Sequence, residues 1–179
     1  MMVIGLCGYA GSGKSEVAKY LEENYKFKRV NFKDGLVLHI RNRLPDTLNE
    51  LAKIYDMSVD ELFKKKPPAM RALMRNIGTD DKRLDNPDHW ADMWNETVGI
   101  LGGNIVADDV RFFNELSAVT EKNGILIRVV REDITNGGDH QSEKEQEKFI
   151  EDFTIVAVKG DIEGLHRQID AVIAHIKAD

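Results

Sequence analysis

The run Gly8-Tyr9-Ala10-Gly11-Ser12-Gly13-Lys14-Ser15 fills every fixed position of the pattern G-x-x-x-x-G-K-[ST]. Each residue type is one that a polyphosphate site requires. Glycines let the backbone of Gly8, Ala10, Gly11, Ser12 and Gly13 curl until its N–H groups face phosphate oxygens. A helix N-terminus directly after the loop adds a favourable dipole. Lys14 supplies a mobile cation able to bridge the β- and γ-phosphates, and the Ser15 hydroxyl is a ligand for Mg²⁺. The bland alternative is a glycine-rich turn followed by a chance Lys-Ser pair. An apolar run before the loop and a helical pattern after it argue against that alternative.

Such a loop serves kinases, GTPases, motor ATPases and transporters alike. A chain of 179 residues with no guanine-reading Asn/Thr-Lys-x-Asp pattern is poorly suited to a motor or a GTPase, which leaves a small-molecule kinase using ATP and Mg²⁺. Transfer to an anionic acceptor needs cations around the transferred group, and Arg suits that task. Arg71 and Arg75 stand i, i+4 on one helical face, Arg83 follows, and Arg111 comes just after a strand. Singly, each arginine reads equally well as part of a solvated face. Together with the phosphate loop they form a coherent acceptor set.

These residues need elements to hold them. Val3–Cys7 is apolar without helical period, the pattern of a buried parallel strand. From Lys14 the spacing of Val17, Ala18 and Leu21 is helical. Residues 29–32 read as a second strand, followed by Leu36, Val37 and Ile40 on one helix face. Capping boxes are expected at Thr47 to Glu50 and at Ser58 to Glu61. Pro68 opens a helix carrying Met70, Leu73, Met74 and Ile77, with Gly78 as its expected stop. Another helix carries Trp90, Met93 and Trp94 and ends at Gly102 and Gly103. Strands are expected at residues 105–107, 126–130 and 153–158. Asp161 should cap a last helix through Leu165, Ile169, Val172 and Ile176.

Strands alternating with helices imply an α/β fold, a parallel sheet covered by helices on both faces. One domain over residues 1–179 is expected, with a helical insertion at about 45–100 and a mobile, lid-like loop at about 132–148 around Asn136, Gly137 and Gly138.

Composition narrows the classes further. With 42% hydrophobic and 31% charged residues and four prolines, the chain is neither collagenous nor disordered. No apolar run reaches the length of a membrane helix, and the start lacks the basic flank of a signal peptide, so a cytoplasmic setting is expected. Cys7, the single cysteine, excludes an internal disulfide and a multi-cysteine metal site. A net charge of -6 argues against general nucleic-acid binding. Charge is uneven: residues 64–83 hold seven Lys and Arg against two Asp, and residues 132–152 hold eight Asp and Glu against two Lys.

The segments Arg71-Ala-Leu-Met-Arg-Asn-Ile-Gly78-Thr79, Arg83 and Pro87-Asp-His-Trp90 resemble the helical part of the bacteriophage-type deoxynucleoside monophosphate kinases. Ile105-Val-Ala-Asp-Asp109-Val-Arg111-Phe112-Phe-Asn114-Glu115 is similar to their D-V-R-F-x-N-E signature, and His140-Gln-Ser142-Glu143 to their H-x-S-E element. With the phosphate loop, the likeness covers nearly the whole chain. Animal phosphomevalonate kinase shares the general plan. Two departures stand out. Gly35-Leu36-Val37 replaces the family's frequent Pro-Leu-Lys, and residues 155–158 lack an Asn usual in the last strand, which bears on adenine recognition.

The resemblance implies a P-loop kinase three-layer fold with a helical acceptor-binding insertion. It implies transfer of the ATP γ-phosphoryl to a deoxynucleoside 5′-monophosphate, giving the diphosphate and ADP. The acceptor phosphate is already an oxyanion near neutral pH, so positioning and charge neutralisation can supply the catalysis without a strong base. Asp109, at a strand's C-terminal end, is expected to hold Mg²⁺, with Asp108 as its competitor and a turn-capping role as the alternative. Asp34 either orients the acceptor or caps a helix. Arg111 would reach the acceptor phosphate, with Asn114 and Glu115 fixing its loop. Trp90 and Phe112 are candidates for stacking on a base, whereas Trp94 reads as core. By analogy with small kinases, Arg128 and Arg131 flank a strand where lid arginines reach the polyphosphate. His140 reads as a solvated loop residue, and Ser142 also suits an N-cap.

Other readings stay open on sequence alone. They are a kinase for phosphomevalonate or dephospho-coenzyme A, a non-catalytic ATP-binding module, and a polynucleotide 5′-kinase, the last disfavoured by the acidic charge. A small-molecule partner is expected, with no nucleic acid and no membrane. Monomer and homodimer are both compatible with the sequence, as are viral and prophage origins.

Overall fold

A computed structural model describes residues 1–81, 86–134 and 141–178. In chain order its elements are β1 (Val3–Cys7), α1 (Lys14–Tyr25), β2 (Lys28–Arg29), α2 (Phe32–Arg43), α3 (Pro45–Tyr55), α4 (Val59–Lys65) and α5 (Pro68–Arg75). A π-helical stretch (Asn76–Asp81) follows, then α6 (His89–Leu101), β3 (Ile105–Ala107), α7 (Phe113–Thr120), β4 (Ile125–Arg131), α8 (Gln141–Gln146), β5 (Phe153–Ala157) and α9 (Ile162–Ala178). Two compact units emerge: Met1–Asn31 with Asn95–Asp179, and Phe32–Trp94.

The first unit is built on a five-stranded sheet of order β2-β3-β1-β4-β5, parallel throughout. All five residues of the central strand β1 are buried, as expected for a run with apolar residues at successive positions. Successive strand residues face opposite sides, so Ile4 and Leu6 share one face. There they pack with Val17, Ala18 and Leu21 of α1 and with Leu165, Ile169, Val172 and Ile173 of α9. On the other face Gly5 leaves room for α7. A Cβ at Gly5 would stand 3.0 Å from Val110 Cγ2 and 3.2 Å from Val119 Cγ2. Helices therefore cover both faces of the sheet, which is the three-layer arrangement of P-loop kinases. At the edge strand β5, the Gln168 amide pairs with both backbone groups of Val156, donating to its carbonyl at 2.9 Å and accepting its N–H at 3.0 Å. That occupies backbone groups which an edge otherwise offers to other chains.

The second unit is helical, with a core of Leu36, Ile40, Leu48, Leu62, Met70 and Trp90. It spans Phe32–Trp94, beginning earlier than the expected insertion. Three local expectations are corrected here. The second strand is shorter and starts earlier than residues 29–32, because β2 stops at Arg29 and Phe32 already begins α2. Thr47 does not cap a helix, since Pro45 at the first position starts α3 earlier and puts Thr47 inside it. Gly78 does not stop α5 but lies within the π-helical stretch. A Cβ there would come within 2.8 Å of Leu36 Cδ2, so glycine serves close packing at this point. The box at Ser58 does form, with Ser58 Oγ accepting the Glu61 N–H at 3.2 Å and Glu61 Oε2 accepting the Ser58 N–H at 3.0 Å. Gly35, one of the departures from the family pattern, faces Met93 Sδ and Trp90 Cε3. A Cβ there would meet them at 3.2 and 3.3 Å, so a bulkier residue would crowd α6. Asn136, Gly137, Gly138 and His140 lie outside the described residues. Among those described, no helix is long and apolar enough to cross a membrane.

Candidate functional site

The site begins where β1 ends. Gly8, Gly11 and Gly13 adopt φ of 130°, 81° and 110°, a region that side chains disfavour. At Gly8 the demand is also steric, for a Cβ would lie 2.2 Å from the carbonyl oxygen of Val129 on β4. Gly13 is the N-cap of α1 and has no side chain to cap with. The first-turn N–H groups of α1 therefore keep the character of an anion site. Ser12 is buried, and its Oγ makes no hydrogen bond among the described residues.

Lys14 folds its ammonium back on the loop. Nζ donates to the carbonyl of Gly8 and, at 2.8 Å, to that of Tyr9. Ser15 Oγ donates to Asp108 Oδ2 at 3.0 Å. Asp108 and Asp109 follow β3 at the C-terminal edge of the sheet, and both are buried. Of the two candidate aspartates, Asp108 is the one hydrogen-bonded to Ser15. Asn31 Oδ1 accepts the Asp108 N–H at 2.8 Å and fixes its main chain. A hydroxyl beside a carboxylate is a hard-oxygen donor set that suits Mg²⁺, an ion that keeps several waters and takes few protein ligands. Among the described residues no cluster of three or more His, Cys, Asp and Glu forms a metal cage. Cys7, one residue before the loop, is buried, and burial pushes its thiol up to about 11. It stays protonated near neutral pH and is a poor nucleophile.

The loop after Asp109 is held by Glu115. Its Oε2 accepts the N–H groups of Arg111 at 2.8 Å and Phe112 at 3.2 Å, while Asn114 Oδ1 accepts the Glu115 N–H at 3.0 Å. Phe112 is half-buried. Arg131 reaches the phosphate loop, donating from Nη1 to the Gly11 carbonyl at 2.9 Å. Its fork also grips Asp133 at 2.6 and 3.2 Å, which holds that carboxyl below its usual range. Arg128, in the middle of β4, has further partners. It donates to the carbonyls of Gln146 and Phe149, both at 3.0 Å, and pairs with Glu151 at 2.9 Å.

Next to the loop opens a cleft of about 290 Å³ lined by Tyr9, Ser12, Arg128, Arg131, Ile134 and Glu147, among others. Sequence reasoning did not find two of the contacts beside it. Gln146, fully buried, accepts the Gly8 N–H at 3.1 Å, and Tyr9 OH donates to Glu147 at 2.7 Å. Both partners sit in a strongly charged stretch, where nothing in the composition marks one amide as buried. Arg29 and Asn31 were also missed. Arg29 ends the strand that pairs with β3, and Asn31 lies two residues beyond it, which spacing alone does not mark.

The helical unit holds the remaining candidates. Arg71 and Arg75 are exposed on α5, and Arg71 Nε also donates to the Lys66 carbonyl at 2.7 Å. Arg83 lies outside the described residues. Asp34 is exposed in the first turn of α2, two residues past its start, so it is no N-cap. Trp90 belongs to the core of this unit, only 3% exposed, with its indole N–H given to the Gly78 carbonyl at 2.9 Å. A ring so covered offers no face for stacking on a base. Trp94 is core as expected, stacked on Phe32 at 4.6 Å between centroids.

No family model matches the chain. A protein of Acanthamoeba polyphaga mimivirus bearing the name "Putative deoxynucleotide monophosphate kinase" is 29% identical over 194 aligned positions, spanning 94% of each chain. The alignment to this relative runs along almost the full length of both chains. Among solved structures, TT1252 from Thermus thermophilus superposes with a TM-score of 0.54 at 19% identity, covering 97% of each chain. Shikimate kinase from Aquifex aeolicus gives a TM-score of 0.49 at 14% identity over 99% of each chain. The likeness to TT1252 is one of fold.

Proposed function

We propose that this chain transfers the γ-phosphoryl group of ATP to a deoxynucleoside 5′-monophosphate, yielding the deoxynucleoside diphosphate and ADP. The observation that carries the reading is the convergence of Lys14, Ser15 and Asp108 at one edge of the parallel sheet, around a loop shaped for a polyphosphate. The name of the mimiviral relative supports the choice of acceptor.

In this reading the backbone N–H groups of Gly11 to Ser15 hold the β- and γ-phosphates, and Lys14 leaves the Gly8 and Tyr9 carbonyls to bridge them. Arg131 lies against the same loop and adds charge to the polyphosphate. Ser15 and Asp108 hold Mg²⁺, with Asp109 beside them. The ion, when bound, neutralises charge on the phosphate oxygens. Arg111, on the loop that Glu115 pins, contacts the acceptor phosphate. Arg71, Arg75, Arg83 and Asp34 are the charged groups of the helical unit assigned to acceptor binding. A phosphate monoester arrives ionised, so orientation and electrostatics account for the rate and no side chain acts as a strong base.

The test is ADP production from Mg-ATP over a panel of nucleoside and deoxynucleoside monophosphates, with phosphomevalonate and dephospho-coenzyme A alongside. Turnover on deoxynucleoside monophosphates is expected. Turnover confined to another acceptor would keep the kinase and discard this substrate, while silence across the panel with ATP still bound would leave only a binding module.

A further inference from the structure

We propose that Arg29 is a positioning residue that sets how strongly Mg²⁺ and ATP bind together, a role that rests on reading Ser15 and Asp108 as the metal's donors. Arg29 is the last residue of β2 and pairs in register with Val106 of β3. Asp108 lies two residues beyond Val106. The two-residue period of an extended chain thus brings Asp108 back to the side of the sheet on which Arg29 lies.

The guanidinium then spans the two halves of the metal site. Nη1 donates to Asp108 Oδ2 at 3.4 Å, the oxygen that also accepts from Ser15 Oγ. Nη2 donates to the backbone carbonyl of Ser15 at 3.3 Å and to Glu22 Oε2 at 2.5 Å. One rigid fork therefore ties the aspartate after β3 to the first turn of α1, and a lysine could not hold both points at fixed separation. Glu22 lies two turns along α1 from Ser15 and balances the charge of Arg29, so the fork orients Asp108 without adding net repulsion toward a divalent ion.

The arrangement is costly to keep unless it serves the site. Arg29 Nε is buried and makes no hydrogen bond among the described residues, although the Arg29 side chain is 25% exposed. The Asp108 side chain is only 5% exposed, and Asn31 already secures its main chain. What Arg29 adds is the orientation of the carboxylate itself.

The experiment measures ATP dissociation constants in EDTA and in excess Mg²⁺ by calorimetry, for the wild type, Arg29→Met, Arg29→Lys and Asp108→Asn. The ratio of the two constants reports metal–nucleotide coupling. Arg29→Met is expected to lose about tenfold in that ratio while binding in EDTA stays within about twofold, and Arg29→Lys to recover part of the loss. Asp108→Asn should also lose coupling. Full coupling in Arg29→Met with loss in Asp108→Asn would overturn the role of Arg29 and leave the metal reading standing. Full coupling in Asp108→Asn would remove the metal reading, and the inference with it. Equal weakening with and without Mg²⁺ in Arg29→Met would make Arg29 a structural residue only. Should Arg29→Met fail to fold, Arg29→Lys decides: reduced coupling at an unchanged melting temperature supports the proposal, and full coupling overturns it.

Discussion

Glu115 Oε2 accepts the backbone N–H of Arg111 at 2.8 Å, so a buried carboxylate on α7 fixes the main chain from which the Arg111 side chain departs. The same oxygen takes the Phe112 N–H, so Glu115→Ala strips the partner from two donors at once. Leaving such donors unpaired costs about 1–3 kcal/mol. Glu115→Ala should therefore lower the melting temperature and raise KM for the acceptor while KM for ATP stays put. Arg111→Ala should raise the acceptor KM further with little change in melting temperature. Steady-state kinetics in both substrates, with a thermal melt, separates the two effects. Equal changes in the two KM values would detach this loop from the acceptor.

Lys14→Ala removes a cation from the phosphate loop without opening the apolar core, since Lys14 Nζ donates to the Gly8 and Tyr9 carbonyls of the loop itself. Loss of a charge-stabilising donor typically costs about a hundred- to a thousandfold in rate. A folded Lys14→Ala protein should show at least that loss, read as ADP production beside a circular dichroism spectrum. Retained turnover in a folded variant would remove Lys14 from the mechanism.

Much of this arrangement is legible in the amino-acid order because local rules decide it. The buried run Val3–Cys7, the glycines after it and the helical spacing of Val17, Ala18 and Leu21 define strand, loop and helix without reference to the rest of the chain. The link from Glu115 to Arg111 spans four residues and is readable for the same reason. Contacts that close over long separations are not. Ser15 meets Asp108 rather than Asp109 because the turn after β3 presents one carboxylate to α1, which spacing alone leaves undecided. Arg29 joins the site only through the register of β2 on β3. Trp90 looked available to a base from its neighbours in sequence, and the packing of α2 against α6 took it into the core. Gly78 read as a helix stop because that is its commonest use, whereas here it lies within a helical stretch and close against the Leu36 side chain.

Gly8→Ala tests the loop's backbone rather than its charges. The substitution puts a Cβ 2.2 Å from the Val129 carbonyl oxygen at φ 130°, so both sterics and conformation oppose it. Strain of this kind costs about 1–3 kcal/mol before the clash is relieved. Relief would push the loop away from β4 and break the Gly8 N–H contact to Gln146. The expected result is a lower melting temperature together with at least tenfold weaker ATP binding, on the scale of a lost hydrogen bond to a charged group of about 1.5–3 kcal/mol. Calorimetric ATP affinity unchanged in the variant would mean that the loop binds nucleotide without this backbone geometry.

Tyr20 and Tyr25 on α1 both donate to Asp170 on α9, Tyr25 at 2.6 Å and Tyr20 at 3.0 and 3.1 Å to its two oxygens. The hydrogen bond to Asp170 pushes the Tyr25 phenol up to about 12 and raises that of Tyr20 as well. An unfolded tyrosine titrates near its ordinary value of about 10. Between these values the folded chain keeps protons that the unfolded chain has released. Stability from this pair is therefore complete below pH of about 10 and is lost as pH rises through about 12. Asp170→Asn replaces the carboxylate with a neutral amide, removing most of the upward shift and, with it, most of the decline. Melting temperatures of wild type and Asp170→Asn at pH 8, 10 and 11.5 should converge at the alkaline end, the wild type starting higher and falling faster. Parallel curves would place the alkaline sensitivity elsewhere than in the contact of Tyr20 and Tyr25 with Asp170.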